Sequence, residues 1–360
     1  MAQKKNKKLQ RGLYFTDIHF GKKGNSETHN QDCLSFIDWF TGKVKDYEPD
    51  YIGFLGDWHE QRSSLNIATL KYSYYGAKKI NALGLPTFFC IGNHDLFHRH
   101  TREIYSVVPF NEFSNFQVID QPTLVTDRFG EDVLFSPYLF HDEYGEDLKK
   151  YLGVKYWAGH FEFKGFQITG YNMVMPTGPD PTEFAGPKDI VSGHFHKRQT
   201  GGNITYMGNT FPMDFGDAGD ADRGLMVYDH GTSEMIFENW DDCPKYLNVR
   251  LSDLLDKKVK PLPNSRVKCV IDMPISYEEN SSLKEQTMAE YGLRDIVFEE
   301  SREIMAALTD TETVDPNAVD LSDGVLDMSI DDLIIRMLKD ISSDHIDNDL
   351  LIEQYRKIQS

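Results

Sequence analysis

Five times along this chain a short apolar run stops at a turn and delivers Asp, Asn or His. Gly12 to Thr16 runs into Asp17-Ile18-His19, Tyr51 to Leu55 into Gly56-Asp57-Trp58-His59-Glu60, and Thr87 to Ile91 into Gly92-Asn93-His94-Asp95. Two later turns deliver Gly159-His160 and Gly193-His194-Phe195-His196. Apolar runs of four to eight residues bounded by turn residues fit buried strands, and glycine lets the backbone turn sharply at their ends. Open α/β sheets place their sites at the carboxyl ends of strands. The five turns are therefore expected to converge, and the chemistry to lie where they meet.

The segments between these turns fit that architecture. Leu34, Ile37, Phe40, Thr41 and Val44 recur at helical spacing, and Pro49 closes the helix before the strand at Tyr51, which makes a β-α-β unit. A second helical pattern, Ile67, Leu70, Tyr74, Ala77, Ile80 and Leu83, ends at Gly84 with Pro86 beyond it, a normal stop signal. Its Tyr72, Tyr74 and Tyr75 read as core and surface packing rather than a base-stacking platform. From Phe116 onward short β-like runs succeed one another: Phe116–Ile119, Val133–Phe135, Lys155–Ala158, Phe166–Tyr171, Ile190–Ser192, Ile204–Met207, Leu225–Tyr228 and Met235–Phe237. Parallel β-α units followed by a strand-rich half predict two sheets packed face to face with helices outside. Met175 to Pro187 reads as a long structureless loop, either the wall of a substrate channel or a plain surface connection.

The site motifs stop near Trp240-Asp241-Asp242, so residues 1–242 read as one domain and 243–305 as a small α+β domain. In the latter, Val267–Ile271 and Ile296–Phe298 are expected strands and Ser282–Tyr291 a helix. Residues 306–327 are acidic and poor in large apolar groups, as a linker is. Residues 328–360 carry two amphipathic patterns, one through Ile330, Leu333, Ile334, Met337, Leu338 and Ile341, the other through Ile346, Leu350, Leu351, Tyr355 and Ile358. Two short helices beyond a polar linker bury little by themselves; they dock on their own domain or on a partner.

Charge bears on what such a chain can bind. The formal net charge is −19, of which residues 309–360 carry −9 from thirteen acidic and four basic side chains. Acidic composition disfavours loose electrostatic binding of nucleic acid, but several of the carboxylates are candidate metal ligands, and bound cations would offset them. No apolar run approaches a membrane span. The basic start MAQKKNKKLQ has no apolar core after it, so no secretory signal is expected. Cys33, Cys90, Cys243 and Cys269 form no CxxC pair, which fits reduced thiols in a cytoplasm.

Two-metal phosphoester hydrolysis requires oxygen and imidazole ligands, a carboxylate shared by both ions and an acid for the leaving oxygen. Asp17, His19, Asp57, Asn93, His160, His194 and His196 supply such a set. The mixture suits Mn²⁺, Fe or Zn²⁺ better than Ca²⁺, which prefers all-oxygen shells. Singly each motif is weak; the order and the strand-end placement make the set specific. There is no P-loop and no GxSxG elbow.

The ordered set DIH…GDWHE…GNHD…GH…GHFH resembles the calcineurin-like metallophosphoesterase superfamily, over Asp17 to His196. The resemblance implies a four-layer α/β/β/α sandwich with two divalent metal ions. Asp17, His19, Asp57 and His196 would hold the first ion, and Asp57, Asn93, His160 and His194 the second. His94 would be the general acid, oriented by Asp95. Protein phosphatases of the superfamily carry a different second motif and GNHE. Here Tyr206 to Pro212, Asp214 to Ala218 and Arg223-Gly224, with the opening DIHFGKKGN and the segment GHFEFKGFQ, resemble DNA double-strand-break repair nuclease subunits of the SbcD type, most of all the phage recombination endonuclease subunits. That branch implies Mn²⁺ as the ion, DNA as substrate and a small capping domain after the core. It also implies a helical C-terminal tail that docks on a coiled-coil ATPase of the SbcC type, and a homodimer of the nuclease subunit. A location in the cytoplasm is implied too, that of the host for a phage-encoded chain. Two other readings stand beside it: a small-molecule phosphodiesterase or phosphoprotein phosphatase on the same core, and a non-catalytic scaffold that has lost its metals.

Overall fold

The computed structural model describes residues 9–168 and 173–300, together with Ile352. The chain divides into two units, Met1–Glu300 and Ser301–Ser360. The three sheets and their helices all belong to the first unit. The expected linker at 306–327 and tail at 328–360 lie outside the described residues, as does the end of the expected strand Phe166–Tyr171. In the described part of that strand, Gln167 forms a single bridge with Val174.

The first sheet has the order β12-β11-β1-β2-β3-β4. Its strands are β1 (Arg11–Phe15), β2 (Tyr51–Leu55), β3 (Thr87–Cys90), β4 (Phe116–Ile119), β11 (Gly224–Asp229) and β12 (Glu234–Asn239). Strands β1 to β4 run parallel, with β11 antiparallel to β1 and β12 antiparallel to β11. The second sheet has the order β5-β6-β7-β8-β10-β9. It contains β5 (Thr123–Thr126), β6 (Asp132–Ser136), β7 (Tyr156–Gly159), β8 (Asp189–Ser192), β9 (Gln199–Gly201) and β10 (Ile204–Tyr206). Strands β6, β7, β8 and β10 are parallel, and β5 and β9 close the two edges antiparallel. The fold is mixed α/β.

The central strands β1, β2, β3, β6, β7, β8, β10 and β11 are buried on both faces, which is why they read as continuous apolar runs. The period of two sorts their side chains. Leu13, Phe15, Ile52, Phe54, Phe89 and Leu225 pack against helices α2 (Glu27–Tyr47) and α3 (Ile67–Asn81). Tyr14, Tyr51, Leu55, Phe88, Met226 and Tyr228 face the other way and meet Val133, Phe135, Tyr156, Ala158 and Val191 of the second sheet. Leu134, Trp157, Ile190 and Tyr206 point outward from the second sheet. There the cover is Leu139, Phe161, Phe163 and short helical pieces, α4 (Glu146–Lys149) and the turns His141–Tyr144 and Pro181–Phe184, rather than long helices. The second of those turns lies inside the loop read as structureless.

Helix α2 starts on Ser26, whose hydroxyl accepts the His29 N–H, and ends on Glu48 in the left-handed region, just before Pro49. A single turn, α1 (Lys22–Asn25), precedes it. Helix α3 departs from the expectation drawn from its apolar spacing. Its buried residues are Thr69, Ser73, Gly76, Ala77 and Ile80, while Ile67 is 87% exposed, Leu70 48% and Tyr74 46%. Polar side chains win the inner face because buried donors behind it need acceptors. Ser73 Oγ lies 2.8 Å from the Trp58 indole nitrogen and 2.7 Å from His59 Nε2, and Thr69 Oγ1 accepts from Asn30 at 3.0 Å.

A third sheet, order β13-β14-β15, is parallel and has its own apolar cluster around Val249, Leu254, Val267, Cys269 and Ile296. It comprises β13 (Tyr246–Arg250), β14 (Arg266–Ile271) and β15 (Asp295–Glu300), with α5 (Leu251–Leu255) and α6 (Tyr277–Tyr291). Ser276 and Glu279 form the capping box of α6, and Gly292 ends it at φ 62°. The Arg294 guanidinium reaches both Asp32 carboxylate oxygens on α2, at 2.6 and 2.5 Å. Tyr246 packs edge-on against Phe215 at 5.2 Å and meets the Lys23 ammonium. Among the described residues no helix is long and apolar enough to cross a membrane.

Candidate metal centre

The turns after β1, β2, β3, β7 and β8 meet at one end of the two sheets. Their approach demands small residues. A Cβ on Gly56 would fall 2.3 Å from His160 Nδ1, and one on Gly92 would fall 2.1 Å from Asp57 Oδ1. The turns are also bent unusually. Asp17 (φ 51°), His19 (51°), Asp57 (59°) and His194 (92°) all lie in the left-handed region, which costs a non-glycine residue roughly 1–3 kcal/mol and concentrates at functional sites.

All seven expected ligands come together. Asp17, His19 and His196 form one group of mutually close ligand atoms, and Asp57, His160 and His194 another. In the first, His19 Nε2 lies 3.1 Å from His196 Nε2 and 3.8 Å from Asp17 Oδ1. In the second, Asn93 Oδ1 lies 3.0 Å from both His160 Nε2 and His194 Nδ1. Asp57 reaches from the second group to the first: its Oδ2 is 3.4 Å from His160 Nε2 and 3.8 Å from His19 Nε2. Its other oxygen accepts the His94 backbone N–H at 2.8 Å.

The far side of His160 and His194 is hydrogen-bonded, and that of His19 faces a carboxylate as an ion-pair contact, so the nitrogen facing the cluster is the free one. His19 Nδ1 lies 2.8 Å from Glu60 Oε2, His160 Nδ1 donates to the Leu55 carbonyl at 2.7 Å, and His194 Nε2 lies 3.0 Å from Glu162 Oε2. Converging imidazole lone pairs and carboxylate oxygens fit a divalent transition cation in each group, whereas they repel one another without one. Burial disfavours charge on Asp57, but His160, His94 and His19 overcome it and hold this carboxyl well below its usual range. The His194 contact holds Glu162 down near 2.

Glu60 and Glu162 were not singled out by the spacing of ligands. Each closely succeeds a ligand, three residues after Asp57 and two after His160, and that proximity was the available signal. Glu162 also meets His141 Nε2 at 3.1 Å and the Tyr138 hydroxyl at 3.5 Å. Tyr138, from the turn after β6, sets its ring 5.8 Å from that of His194. It is a sixth strand-end contribution with no motif to announce it. Replacing Glu162 with Gln removes the charge that orients His194, and is expected to weaken one of two Mn²⁺-binding events about 10- to 100-fold. Calorimetric metal titration of the variant reads this; two events as tight as in the parent would remove Glu162 from the centre.

The expectation for Asp95 needs correction. It does not hold the His94 ring. His94 Nδ1 lies 3.0 Å from the Glu60 carbonyl oxygen, which leaves Nε2 free. The buried Asp95 carboxylate instead gathers the backbone N–H groups of Gly92, Trp58 and His59 at 2.9 to 3.3 Å. It ties the GNHD turn to the GDWHE turn, and stranding those donors would cost roughly 1–3 kcal/mol each. Burial and the neighbouring Asp57 charge push Asp95 up to about 6 despite these bonds.

No protein-family model matches the chain. It is 26% identical over 185 residues to "Exonuclease subunit 1" of Enterobacteria phage T4, an alignment covering 51% of this chain and 53% of that protein. The chain thus spans about half the length of the curated relative it matches. Similar solved structures include a dimetal phosphatase from Danio rerio (TM-score 0.42, 7% identity, 64% of this chain and 96% of that one). Another is Yfce, a phosphoesterase from E. coli (0.33, 13%, 63% and 96%). A third is the nuclease MPE of Pseudomonas putida (0.30, 14%, 62% and 87%). The ordered motifs, the ligand groups they bring together and the exonuclease-subunit relative bear out the resemblance of this chain to the calcineurin-like metallophosphoesterases.

Proposed function

We propose that this protein is a metal-dependent nuclease that hydrolyses DNA phosphodiester bonds. The observation that carries the reading is the pair of ligand groups with Asp57 in reach of both, and His94 beside them. Asp17, His19, Asp57 and His196 would hold one divalent ion, and Asp57, Asn93, His160 and His194 the other, Mn²⁺ being the expected metal. Bound there, the ions would supply Lewis acidity and a more acidic water. The protein's own contributions are distinct. Asp57 fixes the spacing of the two groups. The Glu60 carbonyl holds the His94 ring so that its free Nε2 can give a proton to the departing sugar oxygen. Glu60 and Glu162 keep the ligand imidazoles turned inward.

The exonuclease-subunit relative supports a nucleic-acid substrate, and DNA is the one proposed. Incubation of linear duplex and single-stranded DNA with Mn²⁺ is expected to give cleavage that a chelator abolishes. Hydrolysis of a cyclic nucleotide or phosphopeptide, with none of DNA, would move the reading to the small-molecule or protein phosphoesterases.

We extend the reading to assembly in DNA recombination and double-strand-break repair in the cytoplasm. Residues 243–305 serve as the capping domain. Ile67, Leu70 and Tyr74 stand at helical spacing on the outer face of α3 and are exposed, an apolar row suited to a second copy of the chain. The amphipathic segment 328–360 is assigned to the coiled-coil ATPase. In sedimentation velocity the parent is expected as a dimer and the pair Leu70→Lys with Tyr74→Lys as a monomer. Deletion of residues 326–360 should abolish co-purification with the ATPase. A monomeric parent, or retained co-purification, would overturn the corresponding assignment.

A further inference from the structure

Directly after His94-Asp95 the chain makes a narrow hairpin over residues 96–105 whose exposed side chains have no role in the site described. Leu96 and Tyr105 pair across its base, and the Phe97 N–H donates to the Ile104 carbonyl at 3.0 Å. The hairpin is fastened from several sides. The Ser106 N–H donates to the Asp95 carbonyl at 2.8 Å, and Ser106 Oγ lies 2.7 Å from His59 Nδ1. Arg102 reaches the Asp120 and Tyr138 carbonyls, each at 3.0 Å, and the Glu143 carboxylate. What it presents outward is apolar and aromatic, with one guanidinium. Phe97 is 45% exposed and Ile104 53%. The Phe97 ring stands 4.7 Å from that of His98, edge to face at 87°, and His98 stands 5.6 Å from His100, tilted by 40°. Arg99 is exposed between them.

Large apolar groups held out in water by a braced backbone call for a partner. The exposed Phe97 ring, with a second ring edge-on beside it, and the adjacent guanidinium select what that partner is. Bases stack on aromatic and imidazole faces whatever their sequence, and Arg answers the phosphates. In a chain of net charge −19, the exposed Arg99 guanidinium at the tip is an attractive spot for a polyanion. The fastening matters because a pre-ordered ring loses little freedom on binding. Through the Asp95 carbonyl the base of the hairpin is also hydrogen-bonded to the turn that carries His94. We propose that residues 96–105 form a stacking platform for an unpaired nucleotide of the strand whose phosphodiester lies at the ligand groups. The inference rests on the nuclease reading and names the part of the substrate that this surface takes.

The test uses the full chain and a fluorescein-labelled oligo(dT) 20-mer in chelator, where nothing is cut, read by anisotropy. Phe97→Ala is expected to weaken binding roughly 5- to 150-fold, the range for losing one base–aromatic stack, and Phe97→Trp to restore it. Arg99→Ala should lower the slope of log K against log salt by about 0.7, one single-strand phosphate contact. Thermal melting checks that each variant is folded. In Mn²⁺, oligonucleotide turnover by Phe97→Ala should fall relative to its hydrolysis of bis(p-nitrophenyl) phosphate, a substrate too small to span site and platform. Equal affinity of parent and Phe97→Ala, or a parent that binds no oligonucleotide, overturns the platform. A parent that hydrolyses neither substrate overturns the nuclease reading instead, and the anisotropy result stands apart from it.

Discussion

Replacing Asp57 with Asn is expected to reduce turnover by about 10³-fold or more and to take both metal ions below measurable occupancy. One oxygen of Asp57 lies between His160 Nε2 at 3.4 Å and His19 Nε2 at 3.8 Å, while the other accepts the His94 N–H. An amide of the same shape can keep that backbone bond, but it removes the one negative charge common to both groups and can turn an N–H donor toward the cations. Losing a single preorganised electrostatic contact at a reacting centre costs around 10²–10³ in rate, and here both proposed ions would lose a ligand at once. The loss should be equal for DNA and for bis(p-nitrophenyl) phosphate, because it precedes any difference between leaving groups. Metal analysis of the purified variant alongside steady-state rates decides the matter. Two tightly held ions in Asp57→Asn would mean that the two groups do not share this carboxylate, and the two-metal account would fall.

Replacing His94 with Ser should give the contrasting pattern. Metal content should stay at the parent level, since none of the seven proposed ligands is altered and the backbone N–H to Asp57 is retained. DNA cleavage should drop about 10²- to 10⁴-fold, the usual contribution of a positioned general acid. With a p-nitrophenyl ester the drop should be far smaller, because p-nitrophenolate leaves without a proton. Burial lowers the pKa of His94, opposed by the charge of Asp57, so its imidazolium gives up a proton more readily than an exposed one. The ring is held by the Glu60 carbonyl at Nδ1, which directs the free nitrogen outward. Equal losses on both substrates would show that His94 acts by some route other than protonating the leaving oxygen.

These two residues belong to the part of the molecule that was open to reading from the chain alone. Asp17, His19, Asp57, Asn93, His160, His194 and His196 stand beside strand-ending turns, and a buried strand followed by glycine and a polar group is a local, recognisable signal. Their convergence results from the parallel order of strands, which places all those ends on one side. What stayed hidden depends on contacts between distant segments. Tyr138 and Glu162 sit in loops and acquire meaning only beside His194. Asp95 looks like a partner for its neighbour His94, yet its carboxylate is drawn to three backbone N–H groups that would otherwise be stranded. Helix α3 was recognisable as a helix, but its inner face was not, because Ser73 and Thr69 answer buried donors brought in by Trp58 and Asn30. Strands β5, β9 and β13 carry too few alternating apolar residues to stand out, and they form because a neighbouring strand offers an edge.

The left-handed backbone at positions 17, 19, 57 and 194 has an evolutionary corollary. Glycine would relax the chain at each of them while erasing the chemistry. Descendants that kept this architecture but abandoned hydrolysis should therefore accumulate glycine at those four places and gain heat resistance as they do. Lineages still under selection for turnover should keep acid and imidazole there and stay the more fragile for it.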